Sequence, residues 1–139
     1  MKRSINVANI GHNAPIPLGA RVGALLCSSG IAGKDPATGV LPADPAQQTR
    51  NAFLNLEALL AAGGATLADL AKLTIYVADN SQQEATRAAI NTEWQRCFPD
   101  PDDRPVRHIL NYALQHGMAL QLECLAFVSH RASGSDPKA

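Results

Sequence analysis

Two charged side chains stand in apolar surroundings that give them no ordinary reason to be there. Arg107 follows Pro105 and Val106 and leads into HILNYAL, a strand-like run in which a permanent cation is costly unless an anion pairs with it. Its planar fork matches a carboxylate or phosphate bidentately, so the chemistry it suggests is an anion clamp. The alternatives are a structural salt bridge or a solvent-facing edge position. Glu123 is the second, in LQLECLAFV, which is otherwise almost uncharged. A carboxylate there can orient water and move protons, or it can serve as half of an ion pair or as a cap on backbone donors.

Whether the two cooperate depends on register. A two-residue period puts Arg107, Ile109 and Asn111 on one face of their strand, and Gln121, Glu123 and Leu125 on one face of theirs. If His116-Gly117-Met118 closes a hairpin, Asn111 lies opposite Glu123, and Arg107 shares that face. A slip of one residue would separate the pair.

Other chemistries find less support. His12, His108, His116 and His130 show no metal-ligand spacing with Cys, Asp or Glu, so no metal is implied. His12 can reach a pocket from its loop but reads as a solvated turn residue. His108 points away from Arg107 and suits the edge of the core, and His116 and His130 suit the surface. Cys27-Ser28-Ser29-Gly30 lacks the G-x-S-x-G elbow of a nucleophilic serine and an evident His and acid partner. Ser28, Ser29 and Gly30, at a strand end, suit backbone contacts to a ligand instead. No G-x-G-x-x-G or P-loop is present, so no nucleotide cofactor is implied.

The elements that must position these groups are legible from pattern. Residues 4–10 alternate as a half-buried strand, and RVGALLCSSG reads as one short buried strand ending at Gly30. KDPATG is a turn. Asp44 as N-cap, Pro45 at the first helical position and Gln47 in a capping-box position start a helix running to about Ala62. Its stripe is Phe53, Leu56, Leu59 and Leu60, and Gly63-Gly64 is its stop. Leu73, Ile75 and Val77 alternate with Thr74 and Tyr76, as in a central strand. Ser81 and Glu84 resemble a second capping box, opening a helix through Ala85, Ile90 and Trp94 that stops before Pro99.

The order is therefore β-β-α-β-α-β-β: an α+β fold with both helices on one face of a single sheet. Its bare face would carry Leu and Val, and monomers rarely expose such patches, so other copies of the chain are expected to bury it. The 139 residues suit a single domain over 1–128, with 129–139 a polar and frayed tail. Twelve basic and twelve acidic residues argue against nucleic acid or an anionic membrane surface as partner. Three scattered cysteines outside any CxxC spacing fit a reducing compartment, and no run approaches the roughly 20 apolar residues that span a bilayer. The expectation is a cytoplasmic protein.

Taken together, SSGIAGKDPATGVLPAD, QTRNAFLNLEALLAAGGATLADLAKLTIYVAD, RPVRH and LQLECLAFV resemble the YjgF/Rid family of imine/enamine deaminases, also labelled L-PSP endoribonucleases, over about Gly19 to Val128. The resemblance implies a chorismate-mutase-like fold and a homotrimer with ligand clefts between subunits. It further implies that Arg107, in Pro105-Val106-Arg107, holds the substrate carboxylate, that Glu123 positions the hydrolytic water, and that Ser29-Gly30 borders the cleft. Two positions depart from the family pattern and bear on substrate preference: Ile16 falls near the family's tyrosine and Ile109 at its frequent cysteine. Trp94, near a family aromatic position, reads as core.

The function so implied is cofactor-free hydrolytic deamination of small 2-imino or enamine carboxylic acids. The alternatives are a noncatalytic trimer that binds small carboxylate metabolites and, less favoured by the zero net charge, an endoribonuclease.

Overall fold

The computed structural model describes residues 2–129. The chain forms six strands and two long helices: β1 (Ser4–Ile5), β2 (Gly19–Val22), β3 (Leu25–Ser28), α1 (Pro45–Ala62), β4 (Leu70–Ala78), α2 (Gln83–Cys97), β5 (Val106–Tyr112) and β6 (Leu120–Phe127). One sheet takes them all, in the order β1-β2-β3-β6-β4-β5. Only β4 and β5 pair in parallel, joined by α2, as a parallel neighbour requires.

The α+β class and both helices match the sequence expectation, and β4 is central. Three local readings are corrected. The run RVGALLCSSG is the end of β2, a two-residue turn and all of β3. Gly23, at φ 61°, takes the first turn position that a Cβ would strain, so the apolar run folds back on itself. The strand over residues 4–10 shrinks to Ser4–Ile5. The capping box at Ser81 does not form: α2 starts at Gln83, and the Asn80 side chain accepts from the Gln82 backbone instead. The frayed tail expected over 129–139 lies, beyond Ser129, outside the described residues.

Helix α1 is capped as its sequence requires. Asp44 accepts from the Gln47 N–H at 3.0 Å, although the Gln47 side chain turns to Asn51 rather than back to the cap. At the other end Gly64 takes φ 79° and Arg21 donates to the Gly63 carbonyl. Phe53, Leu56, Leu59 and Leu60 are buried against Leu73, Ile75, Val77, Leu120 and Leu122 of the sheet. The buried side of α1 also carries three amides. Asn55 donates to the carbonyls of Ala32 and Lys34, Asn51 to that of Gly33, and Gln48 ties Pro42 and Gly117 to Ala119. These bonds satisfy backbone groups of the irregular segment after β3, which no ladder could pair. They fix the strand end that carries Ser29 and Gly30.

The helices cover one face only. On the other, Val22, Leu25, Val106, Leu110, Tyr112, Leu125 and Phe127 are all exposed, Phe127 to 64%. Among the described residues no helix is long and apolar enough to cross a membrane.

Candidate functional site

The C-terminal strands are not a hairpin. β6 lies between β3 and β4, and β5 sits beyond β4 at the sheet edge. The turn expected around His116-Gly117 does form, with both residues at positive φ and Met118 N–H donating to the Gln115 carbonyl, but the connection carries the chain past β4. Composition explains the order. The alternating Leu120, Leu122, Cys124 and Ala126 of β6 are all buried and take two neighbours, whereas β5, with Arg107, His108 and Asn111, is exposed along nearly its whole length, as an edge strand can be.

This order overturns the shared face. Leu73 of β4 pairs with Arg107 on one side and Cys124 on the other, while Thr74 pairs with His108 and Glu123. Paired residues project to the same side of a sheet, so Arg107 lies on the helix-covered face and Glu123 on the bare one. Two strand spacings, about 10 Å, separate them laterally as well. One copy of the chain cannot bring both to one small ligand.

Arg107 projects from the sheet edge against α2. Its Cζ lies 4.9 Å from the ring centroid of Trp94, and Nη1 donates to Asn91 Oδ1 at 3.1 Å. Trp94 is core, as read from sequence, and at the same time a platform for the guanidinium. Along the same strip, Arg87 Nη2 donates to Asn111 Oδ1 at 2.7 Å, and Asn111 Nδ2 donates to Gln83 Oε1 at 2.6 Å. Although Arg107 is exposed, partial desolvation of its guanidinium, and then the charge of Arg87, lower its pKa. Among the described residues the side-chain ion pairs join Arg96 to Glu57 and Glu93, so neither Arg107 nor Arg87 has a carboxylate beside it. Most of the Arg107 fork is free for an anion. Ile109 lies on the same face, half-buried against the core between Arg107 and Asn111.

On the bare face Tyr76 donates its hydroxyl to Glu123 Oε1 at 3.0 Å. That bond, and then the carboxylate's charge, raise the Tyr76 pKa above its ordinary value. Sequence reasoning missed this partner, although Tyr76 alternates with the core residues of β4 and so had to face away from the helices. His108 is exposed on this same face rather than at the core edge.

Ser29 and Gly30 leave β3 beside Gln121, and a Cβ on Gly30 would collide with the Gln121 side chain. His12 Nε2 lies 2.6 Å from Ser29 Oγ. That oxygen is also within 2.9 and 3.1 Å of the Leu18 and Pro17 carbonyls, which can only accept. The hydroxyl proton therefore goes to a carbonyl, and His12 donates through Nε2–H. Burial, and then Lys34, lower the His12 pKa, favouring the neutral ring. Ser29 is thereby tied to the backbone and is not primed as a nucleophile. His12 is thus a fixed part of the strand end and not a merely solvated turn residue. With His116, Lys34, Gly30 and Gln121 it lines a cavity of about 300 Å³. Burial pushes the thiols of Cys97 and Cys124 up to about 11, so both stay protonated. Among the described residues no three His, Cys, Asp or Glu side chains gather as a metal site would need.

Residues 14–128 match the family model described as Endoribonuclease L-PSP. A RutC family protein of Haemophilus influenzae is 33% identical over 123 residues, covering 83% of this chain and 92% of that one. The 2-iminobutanoate/2-iminopropanoate deaminase of Escherichia coli is 35% identical over 96 residues, covering 63% and 75%. Among solved structures, E. coli TdcF with bound serine superposes with a TM-score of 0.79 at 27% identity, over 92% of this chain and 100% of that one. With fold, motifs and sequence in agreement over most of its length, the chain belongs to the endoribonuclease L-PSP family, also known as YjgF/Rid.

Proposed function

We propose that residues 1–128 form a single Rid-like domain that hydrolyses small 2-imino and enamine carboxylic acids to a keto acid and ammonia. It would do so in the cytoplasm, as a homotrimer with its clefts between subunits. The observation that carries this reading is the separation of Arg107 and Glu123 on opposite faces of one sheet, together with an exposed apolar bare face. A site that needs both residues has to be assembled from two copies, and the bare face gives the copies a reason to meet. The E. coli relative's name as an imine deaminase supports the reaction class.

In this reading Arg107 grips the substrate carboxylate, and Asn91 and Trp94 hold the guanidinium in place. Glu123, steadied by Tyr76, orients a water molecule against C2 of the protonated imine and takes its proton as the C–O bond forms. The resulting carbinolamine carries hydroxyl and amino groups on C2. Return of the proton to nitrogen lets the C–N bond break, releasing ammonia as the C=O forms. An enamine first takes a proton at C3 to become the imine. Ser29 and Gly30 border the cleft through their backbone, and Ile109 forms its apolar wall. The reaction is a hydrolysis and calls for no cofactor.

The test is ammonia release from 2-imino acids generated in situ, comparing wild type with Arg107→Ala and Glu123→Gln. Glu123→Gln keeps shape but accepts protons poorly, and should lower turnover by about 10²- to 10⁴-fold while sparing keto-acid binding. A loss well under tenfold would assign Glu123 to structure. Absence of turnover in the wild type, with binding intact, would leave a carboxylate-binding trimer.

A further inference from the structure

Arg87 is left unexplained by the proposed reaction. It lies on the face of α2 that meets β5, four residues before Asn91, and its guanidinium is held by Asn111, which is held in turn by Gln83. Asn111 lies four residues beyond Arg107 on the same face of β5, with half-buried Ile109 between them. The strip between helix and strand thus presents two guanidiniums, three amides and one apolar side chain. Among the described residues no carboxylate pairs with either arginine. The Cα atoms of residues 107 and 111 are roughly 13 Å apart along the strand, and Arg87 lies about 6 Å along the helix axis from Asn91, distances that two arginine side chains readily bridge. Like charges brought together in this way repel, and Arg107 registers the charge of Arg87. A ligand with two anionic groups would neutralise both guanidiniums, where a ligand with one leaves Arg87 without a counter-charge.

We infer that Arg87 determines specificity by reading a second anionic group, so that the preferred substrates are dicarboxylic 2-imino acids. The inference rests on Arg107 being the clamp for the first carboxylate. With that carboxylate on Arg107, the substrate chain runs along Ile109 and its distal carboxylate meets Arg87, whose orientation Asn111 and Gln83 have already set. Preorganisation of this kind limits the ordering cost of binding.

The test compares the intact protein's affinity for two keto-acid products, 2-oxoglutarate and 2-oxobutanoate, by calorimetric titration. In parallel, ammonia release is followed from the imines of glutamate and 2-aminobutanoate, generated by amino-acid oxidases. Wild type should bind the diacid at least tenfold more tightly, the size expected of one additional charge-assisted contact at about 1.5–3 kcal/mol. Arg87→Gln, whose amide can still donate to Asn111, should bring the ratio of the two affinities close to one. Arg107→Gln should weaken both ligands. A wild type without diacid preference overturns the inference, whether or not it turns over imines. So does an Arg87→Gln variant that keeps the preference but changes the oligomeric state, since Arg87 would then be serving a subunit contact. Diacid preference in binding without turnover of any imine would instead leave standing that Arg87 reads a second anionic group, and would refute the deaminase reading.

Discussion

Replacement of Arg107 by Lys separates charge from geometry at the proposed anion clamp. Arg107 has one guanidinium nitrogen on Asn91 and its plane against Trp94, which leaves the rest of the fork to grip both oxygens of a carboxylate. A lysine keeps the charge but offers a single point of contact, so one of two charge-assisted hydrogen bonds is lost, about 1.5–3 kcal/mol. Loss of the stacking on Trp94 adds roughly 0.5–1 kcal/mol. Together these make about 2–4 kcal/mol, and at about 1.4 kcal/mol per tenfold keto-acid affinity should fall roughly 30- to 700-fold, close to the effect of Arg107→Ala. Trp94 is the chain's single tryptophan and lies beneath the guanidinium, so its fluorescence can report both ligand occupancy and the integrity of the platform. An Arg107→Lys variant within about threefold of wild type, beside an Arg107→Ala variant that binds far more weakly, would refute the geometric argument and leave only charge.

Three further outcomes are expected. Phe127→Glu puts a charge on the bare face beside Leu25 and should leave the protein monomeric in sedimentation analysis, with its helix content intact, where the wild type sediments as the proposed homotrimer; a variant that sediments like a wild-type oligomer would mean that the copies meet elsewhere. Gly33→Ala should cost about 1–3 kcal/mol, since a Cβ there collides with the backbone carbonyl of Gln48 in α1, and a melting temperature equal to wild type would contradict the close approach. Because the folded-state pKa of His12 lies below its ordinary 6.5, the unfolded chain binds the extra proton first, so stability should be full above pH 6.5 and decline as pH falls below it; His12→Gln, which can still donate to Ser29, should flatten that decline, and superimposable profiles for the two proteins would refute the assignment.

Much of the fold was legible because its signals are local. Asp44, Pro45 and the double glycine bound α1 through capping chemistry within a few residues, and the alternation in β4 and β6 marks a buried face wherever the strand is placed. The two charged oddities, Arg107 and Glu123, stood out for the same reason: each interrupts a largely apolar run of sequence, where a buried charge would need a partner, although Arg107 in fact lies exposed on the edge strand. Strand order is a different kind of information. A period of two says which residues share a face within a strand but is silent on which strand lies beside it, so β5 and β6 read as a hairpin when β4 in fact lies between them. That insertion sends Arg107 and Glu123 to opposite faces, gives Glu123 its partner Tyr76, and lines Arg87 and Asn91 along Arg107. The sequence by itself determined the elements, the apolar stripes and the residues worth watching. Only the tertiary structure decided which of them meet, because contacts between distant segments depend on the packing of the whole sheet.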